Sequence, residues 1–204
     1  MKTQVRGVGR TTWVATRAMA LLTLALGVGY TLVITGVGQA ALPTQANGSI
    51  LTKQHGDPVG SSLIGQSFTD VHGNPLPEYF QARPSAAGDG YNGGASSGSN
   101  YGPESQELIA AITERTSQVA EFNGVTESDV PADAVTASSS GLDPHISPAY
   151  AQIQIDRVAT ARGIPAEQVW ELVAAHTEGP DLQYLGESRV NVLELNLDLD
   201  ELEG

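Results

Sequence analysis

The chain has no cysteine among its 204 residues. That absence excludes disulfides, thiolate metal centres, a cysteine nucleophile and an N-terminal lipid carried on cysteine, so a folded body must hold together by packing alone. Acid is missing from the first 56 residues, and charge of either sign is missing between Arg17 and Lys53. Basic residues are scarce as well, 10 Lys and Arg against 23 Asp and Glu. His55, His72, His145 and His176 show no H-x-x-x-H ligand spacing, and the sequence has no Walker-type phosphate loop and no internal repeat.

The gap in charge is filled by AMALLTLALGVGYTLVITGVGQAAL, Ala18 to Leu42, and closed by Pro43. A bilayer core needs about 20 apolar residues in a helix. Only an element that satisfies its own backbone hydrogen bonds crosses lipid. The sequence therefore predicts a transmembrane helix over residues 18–42. Lys2, Arg6, Arg10 and Arg17 all precede it. The positive-inside rule then makes residues 1–17 a cytoplasmic basic N-terminus and residues 43–204 an extracytoplasmic acidic domain. Gly38-Gln39-Ala40 resembles a small-residue cleavage site, yet signal h-regions run only about 7–15 residues, so a retained anchor is expected. Thr23, Gly27, Thr31, Thr35 and Gln39 recur at intervals of four along this helix. That ridge of small and polar side chains is a candidate subunit contact within the membrane.

From Asp57 onward five basic residues face all 23 acids, a formal charge of −18. Such a domain repels nucleic acid and anionic lipid, stays soluble and raises the local concentration of cations. Its length of about 160 residues suits one domain with its own core. Gly, Ser, Pro and Asn dominate residues 43–100, with short strands predicted at Leu63–Phe68 and Glu78–Gln81. Three helices follow. The first opens at Pro103-Glu104, carries Leu108, Ile109, Ile112 and Val119 inward, and closes at Asn123-Gly124. The second runs from Ser147-Pro148 to Gly163. The third starts at Pro165, buries Val169, Trp170, Leu172 and Val173, and ends near His176. Alternation from Val190 to Leu199 predicts a half-buried strand. The expected fold class is α+β, a single N-terminal transmembrane helix followed by one small extracytoplasmic domain.

Two motifs spell familiar chemistry in unsuitable places. Gly88-Asp89-Gly90-Tyr91-Asn92-Gly93 reads G-x-G-x-x-G, but no hydrophobic strand precedes it and a Ser/Gly run follows. Gly94-Ala95-Ser96-Ser97-Gly98 reads G-x-S-x-G, which in a nucleophile elbow sits on a strand-to-helix turn. An anchored or secreted serine hydrolase using Ser96, with Asp143 and His145 or His176 downstream, is one alternative function. A freestanding extracytoplasmic binding module is another. Residues 136–148, TASSSGLDPHISP, are more tightly specified. Small residues, an Asp143-Pro144 turn and a Ser147-Pro148 helix start aim this loop at a helix N-terminus, which suits a carboxylate or carbonyl partner. Asp143 and Ser147 are also residue types that cap their own backbone.

This loop closely resembles the C subunit family of Kdp-type high-affinity potassium-transporting ATPases. Other blocks agree in order: Tyr79-Phe80-Gln81-Ala82-Arg83-Pro84-Ser85 followed by Tyr91-Asn92; Gly98-Ser99-Asn100-Tyr101-Gly102-Pro103; Val130-Pro131-Ala132-Asp133; Gly141-Leu142-Asp143-Pro144-His145 with Ser147-Pro148. Ile155–Ala159, Ala161-Arg162-Gly163, His176–Gly179 and Arg189–Leu197, with Asn191 at its centre, continue the match to about Asp200. Gln81, Tyr101 and Ser139 depart from the family's usual tryptophan, leucine and small residue. The resemblance implies an accessory, non-catalytic subunit with one span. Its relatives assemble with a channel-like potassium-binding subunit, a P-type ATPase catalytic subunit and a very small single-span subunit. It also implies a role in raising the pump's ATP affinity, while ATP and potassium are handled by the complex and no cofactor is bound tightly by this chain. About 17 cytoplasmic residues without a phosphate cradle leave no place for direct nucleotide contact. An acidic body capping the external potassium entrance is the expected arrangement.

Overall fold

The computed structural model describes residues 7–53 and 56–202; Lys2, Arg6 and His55 lie outside them. The chain divides into two compact units, Met1–Ser49 and Ile50–Gly204.

The first unit is dominated by one helix, α1 (Val8–Ala41), 34 residues long with a hydropathy of 2.0 over its most apolar window. None of its residues is buried. It is long and apolar enough to cross a membrane. It begins ten residues before the predicted span because the threonines there are accommodated: Thr11, Thr12 and Thr16 return their hydroxyls to the carbonyls of Gly7, Val8 and Thr12 at 3.0, 2.9 and 2.9 Å. From Thr23 to Tyr30, around Gly27 and Gly29, the helix widens into π geometry. Leu42 leaves helical geometry and Pro43 starts a separate turn, Pro43–Ala46.

The second unit opens with an antiparallel hairpin, β1 (Ile50–Thr52) and β2 (Pro58–Ser61), whose register shifts between Leu51 and Thr52. A long irregular stretch then leads to α2 (Gln106–Asn123). Ser105 accepts the Leu108 N–H at its start and Gly124, at φ 67°, closes it. After a one-turn helix Ala132–Val135 come β3 (His145–Ile146), α3 (Pro148–Arg162), α4 (Ala166–Ala175), β4 (Thr177–Glu178), β5 (Arg189–Asn191) and α5 (Val192–Glu201). The three short strands form an antiparallel sheet in the order β3-β5-β4, with His145 opposite Asn191 and Glu178 opposite Arg189. The aliphatic core gathers Ile146, Ala151, Val158, Val169, Val190, Leu195 and Leu199. The α+β class stands.

Helix boundaries follow their punctuation: α3 runs from the Ser147 cap to Gly163, and α4 from Pro165 to His176. Two predicted inward residues, one on α2 and one on α4, point out instead. Ile109 and Trp170 are 48% and 51% exposed, because only one stripe of each helix meets a neighbour.

The predicted C-terminal strand is a correction. Only Arg189–Asn191 is extended, and the leucine run is helical. Asn191 turns the chain by accepting the Leu193 and Glu194 N–H groups at 3.1 and 3.2 Å. Val192, Leu195 and Leu199, at spacings of three and four, are fully buried, with Leu193 and Asn196 beside them. Alternating leucines fit both periods. Beyond Val192 no β-branched residue favours the strand, and Leu and Glu are good helix formers.

Neither of the other two predicted strands forms. At Leu63–Phe68 the Gly65 N–H goes to Leu142 O at 2.9 Å, a loop contact, and Leu63 is 63% exposed. At Glu78–Gln81 the chain leaves a turn, closed by the Tyr79 N–H on Leu76 O at 3.3 Å, and runs irregularly with no neighbouring strand among the described residues. Side-chain amides take the place of a ladder. Asn196 accepts the Phe80 N–H and donates to Phe80 O, both at 2.9 Å. Gln154, fully buried, accepts the Gln81 N–H at 2.7 Å and donates to Gln81 O at 3.2 Å. Arg157 donates to Pro77 O, Tyr79 O, Asn123 Oδ1 and Gln154 Oε1 and stacks over Phe122 at 4.4 Å. Burial lowers its pKa to about 10, offset in part by Tyr150 and Glu78. Gln81, the departure from tryptophan, spends its own amide on the Phe68, Leu76 and Tyr79 carbonyls.

Candidate functional site

Four loops from distant parts of the sequence converge on residues 136–148. Ser85 is their hub: its hydroxyl donates to Gly141 O at 2.6 Å and accepts the N–H groups of Ala87 and Tyr91 at 3.1 and 2.9 Å. Tyr91 returns its phenol to Arg83 O at 2.9 Å and lies 3.4 Å from Asp143 O. Burial, chiefly, pushes that phenol's pKa far up, so it stays a donor. The loop at 96–98 joins through Ser96 Oγ and Ser97 N, which both donate to Ser140 O. Gly98 lies so close to Ser139 that a Cβ there would sit 2.9 Å from its carbonyl oxygen.

Asp143 ties this knot to the Arg-Pro-Ser element. Its Oδ2 accepts from Arg83 at 3.0 Å, while its Oδ1 accepts the His145 N–H at 3.0 Å and meets His145 Nδ1 at 3.3 Å. Partial burial opposes ionisation of Asp143, but the bonds from His145 and the charge of Arg83 outweigh it and hold its pKa below the ordinary value. A carboxylate with a depressed folded pKa stabilises fully above its unfolded pKa, about 3.9, and that contribution disappears as pH falls through the folded value. Asp143→Asn is therefore expected to cost stability at pH 6 and to narrow the gap to wild type at pH 3. Urea midpoints at the two pH values check this; an unchanged gap rejects it.

The expected carboxylate at the N-terminus of α3 is supplied from within the chain. Asp133 accepts Ser147 N at 2.7 Å and Ser147 Oγ at 2.8 Å, and Ser147 in turn caps Tyr150 N at 3.0 Å. Pro148 occupies the first helical position. Pro144 O accepts the Val192 N–H at 2.9 Å, and Asn191 Nδ2 reaches Ser62 O at 2.8 Å, so Asn191 joins the same assembly. Asn100, at φ 55°, donates its side-chain amide to Gly98 O at 3.0 Å. Ser99 makes no side-chain hydrogen bond among the described residues.

Arg83, Ser85, Gly141, Leu142, Asp143, Pro144, His145, Ser147 and Asn191 are thus brought together. The membrane ridge Thr23–Gln39 belongs to the other unit. There Thr31 Oγ1 donates to Gly27 O at 2.9 Å, and Gln39 forms a reciprocal amide pair with Asn47 at 3.3 and 3.2 Å. Tyr91, Asp133 and Gly65 escaped sequence reasoning as parts of the knot. Only their position within the quoted blocks marked the first two.

Most of the knot's polar groups are engaged with one another, whereas Arg83 Nε is buried without a partner among the described residues. Ser96 Oγ bonds a carbonyl and lies in a loop, not on an elbow. His145 pairs with Asp143, and His176 Nε2 meets Asp198 Oδ2 at 2.8 Å. Among the described residues no group of three or more His, Cys, Asp or Glu is placed to hold a metal. What the loops create is a hydrogen-bonded wall beside an open cleft of ≈ 610 Å³ lined by Leu63, Ile64, Arg83, Ser138, Leu142 and Asp143. A fixed surface of this kind suits binding.

The family model described as K+-transporting ATPase, c chain (KdpC), matches residues 12–201. The Potassium-transporting ATPase KdpC subunit of Caulobacter vibrioides is 52% identical over 184 residues, 90% of this chain and 89% of that protein. Proteins of the same name from Gemmatimonas aurantiaca and Ralstonia nicotianae are 53% and 51% identical. These matches cover 93% and 89% of this chain, and 90% and 86% of the two relatives.

Proposed function

The chain belongs to the KdpC family of K+-transporting ATPase c chains, and from that premise we propose that it is a non-catalytic accessory subunit that holds a potassium-uptake complex together. The observation that carries this reading is α1, a fully unburied apolar helix of 34 residues with basic residues at its N-terminal end alone. Charge placement supports an N-terminus in the cytoplasm and an extracytoplasmic body. The ridge Thr23, Gly27, Thr31, Thr35 and Gln39 then faces the channel-like potassium-binding subunit, the P-type catalytic subunit or the small single-span subunit. Small residues permit close helix approach there. Because Thr31 already bonds within its own helix, the ridge acts through shape more than through new hydrogen bonds.

The acidic body caps the external potassium entrance, where its net negative charge raises the cation concentration within a Debye length of about 8 Å. Any effect on the catalytic subunit's ATP affinity passes through α1 and its contacts, since ATP lies on the side of the short basic N-terminus.

Co-purification tests the reading. A tagged chain expressed with the whole complex and extracted in mild detergent should bring the other subunits with it. A Cβ at Gly27 would meet only Thr23 Cγ2, at 3.7 Å. The isolated helix therefore tolerates a side chain there, and a defect reports on a partner. Gly27→Leu with Thr31→Leu is expected to lower recovery of partner subunits on the order of tenfold. Wild-type recovery with both leucines present would reject the ridge as the contact.

A further inference from the structure

Ahead of β5, residues 180–186 form a tight turn whose apolar side chains have no cover. Asp181 and Leu185 exchange two backbone hydrogen bonds, both 2.9 Å. Between them Leu182 and Gln183 lie consecutively in the left-handed region, at φ 52° and 71°, a conformation unfavourable for residues that carry a Cβ. The turn is nonetheless fixed at its base. Arg189 reaches Glu178 Oε2 at 3.0 Å and Asp181 Oδ1 at 3.6 Å, and the β4–β5 pairing carries both arms. At the tip Leu182, Tyr184 and Leu185 are 74%, 73% and 49% exposed. Three large apolar residues within four positions, held out by an unfavourable backbone, are the marks of a preformed contact.

We infer that this turn is a docking finger that enters an apolar pocket, rimmed by basic side chains, on a different protein subunit of the transport complex. The inference rests on the assembly reading above. Charge selects the occupant. Glu178 and Asp181 at its base, with side chains 57% and 70% exposed although both pair with Arg189, and the exposed Glu187 give the turn a net acidic rim. An anionic lipid surface is repelled by that rim. A second copy of a body with formal charge −18 is repelled as well. A basic rim around an apolar pocket complements it, and Tyr and Leu supply the central contact area.

The test places a photoreactive residue at the tip, Leu182→p-benzoylphenylalanine, in the full chain expressed with its complex. Thr113, exposed on α2, carries the same probe as a control. After irradiation of membranes, the adduct is identified by mass spectrometry. The expected product joins this chain to another subunit of the same pump from position 182, with little product from position 113. A lipid adduct, an adduct with a second copy of this chain, or no adduct overturns the finger. In parallel, Leu182→Ser with Tyr184→Ser is expected to reduce recovered partner subunits about tenfold. The thermal midpoint of the chain stays unchanged, since both side chains contact mainly water. Full recovery of the complex by this double variant overturns the inference while leaving the assembly reading intact. If even the unmodified chain recovers no partner, the assembly reading fails and the finger with it.

Discussion

Replacing Gly141 by alanine is expected to destabilise the C-terminal body by about 3–5 kcal/mol, roughly 10 °C in thermal midpoint for a unit of this size. Two effects add. Gly141 has φ 68°, where any residue with a Cβ is disfavoured. A Cβ built there would also lie 2.6 Å from Ser97 O, 2.7 Å from Ala87 N and 2.9 Å from Ala87 Cβ. Two of these atoms are backbone: Ala87 N is held by Ser85, and the residue carrying Ser97 O is held through its own N–H on Ser140 O, so neither moves aside singly. Gly163 provides the control. It too has φ 68°, at the end of α3, but nothing lies within 4 Å of its Cβ position. Gly163→Ala is expected to cost only about 1–2 kcal/mol, the backbone share alone. Urea unfolding of both variants separates the two effects. Equal losses would show that the loops at 85–97 yield easily and that the knot is softer than its hydrogen bonds indicate.

Local chemistry was legible and long-range chemistry was not. Ser147-Pro148, Gly163, Asn123-Gly124 and Pro165 announced helix ends because caps and stops act within a few residues. The length of the apolar run between Arg17 and Lys53 announced α1 for a similar reason. The alternation of Leu193, Leu195, Leu197 and Leu199 misled, because a leucine at every second place fits a helix stripe as well as a strand face. The pairing of Arg83 with Asp143 spans 60 positions, and that of Phe80 with Asn196 spans 116. Neither leaves a periodic trace. The quoted family blocks did mark Arg83, Ser85, Gly141 and Asp143, but as separate words; that they form one knot is a property of the fold. The aim of the 136–148 loop at a helix N-terminus was correct. Its expected partner was not external, since Asp133 already fills that role.

The clamp on Phe80 supplies the second large expected effect. Asn196→Leu keeps the heavy-atom count and branching of the side chain and removes both hydrogen bonds to a residue that is itself 0% exposed. The Phe80 N–H and C=O would then be buried without partners, at about 1–3 kcal/mol each, so a loss of about 2–6 kcal/mol is expected. Added apolar surface cannot offset this, because Asn196 lies at 1% exposure in a packed core. Asn196→Asp separates the two bonds. At neutral pH the carboxylate still accepts the Phe80 N–H but faces the Phe80 carbonyl without a donor, and burial opposes its charge. The folded-state pKa of that carboxyl is therefore raised above its unfolded value. A group of that kind favours the folded state most in acid and loses the contribution as pH rises. Protonation also restores an O–H donor for Phe80 O. Asn196→Asp should accordingly be strongly destabilised at pH 7 and regain part of the loss near pH 4, whereas the deficit of Asn196→Leu stays constant. Chemical denaturation of the two variants at both pH values reads this out. Parallel pH behaviour in the two would mean that Phe80 finds other partners and that the amide clamp does not hold residues 78–81 in place.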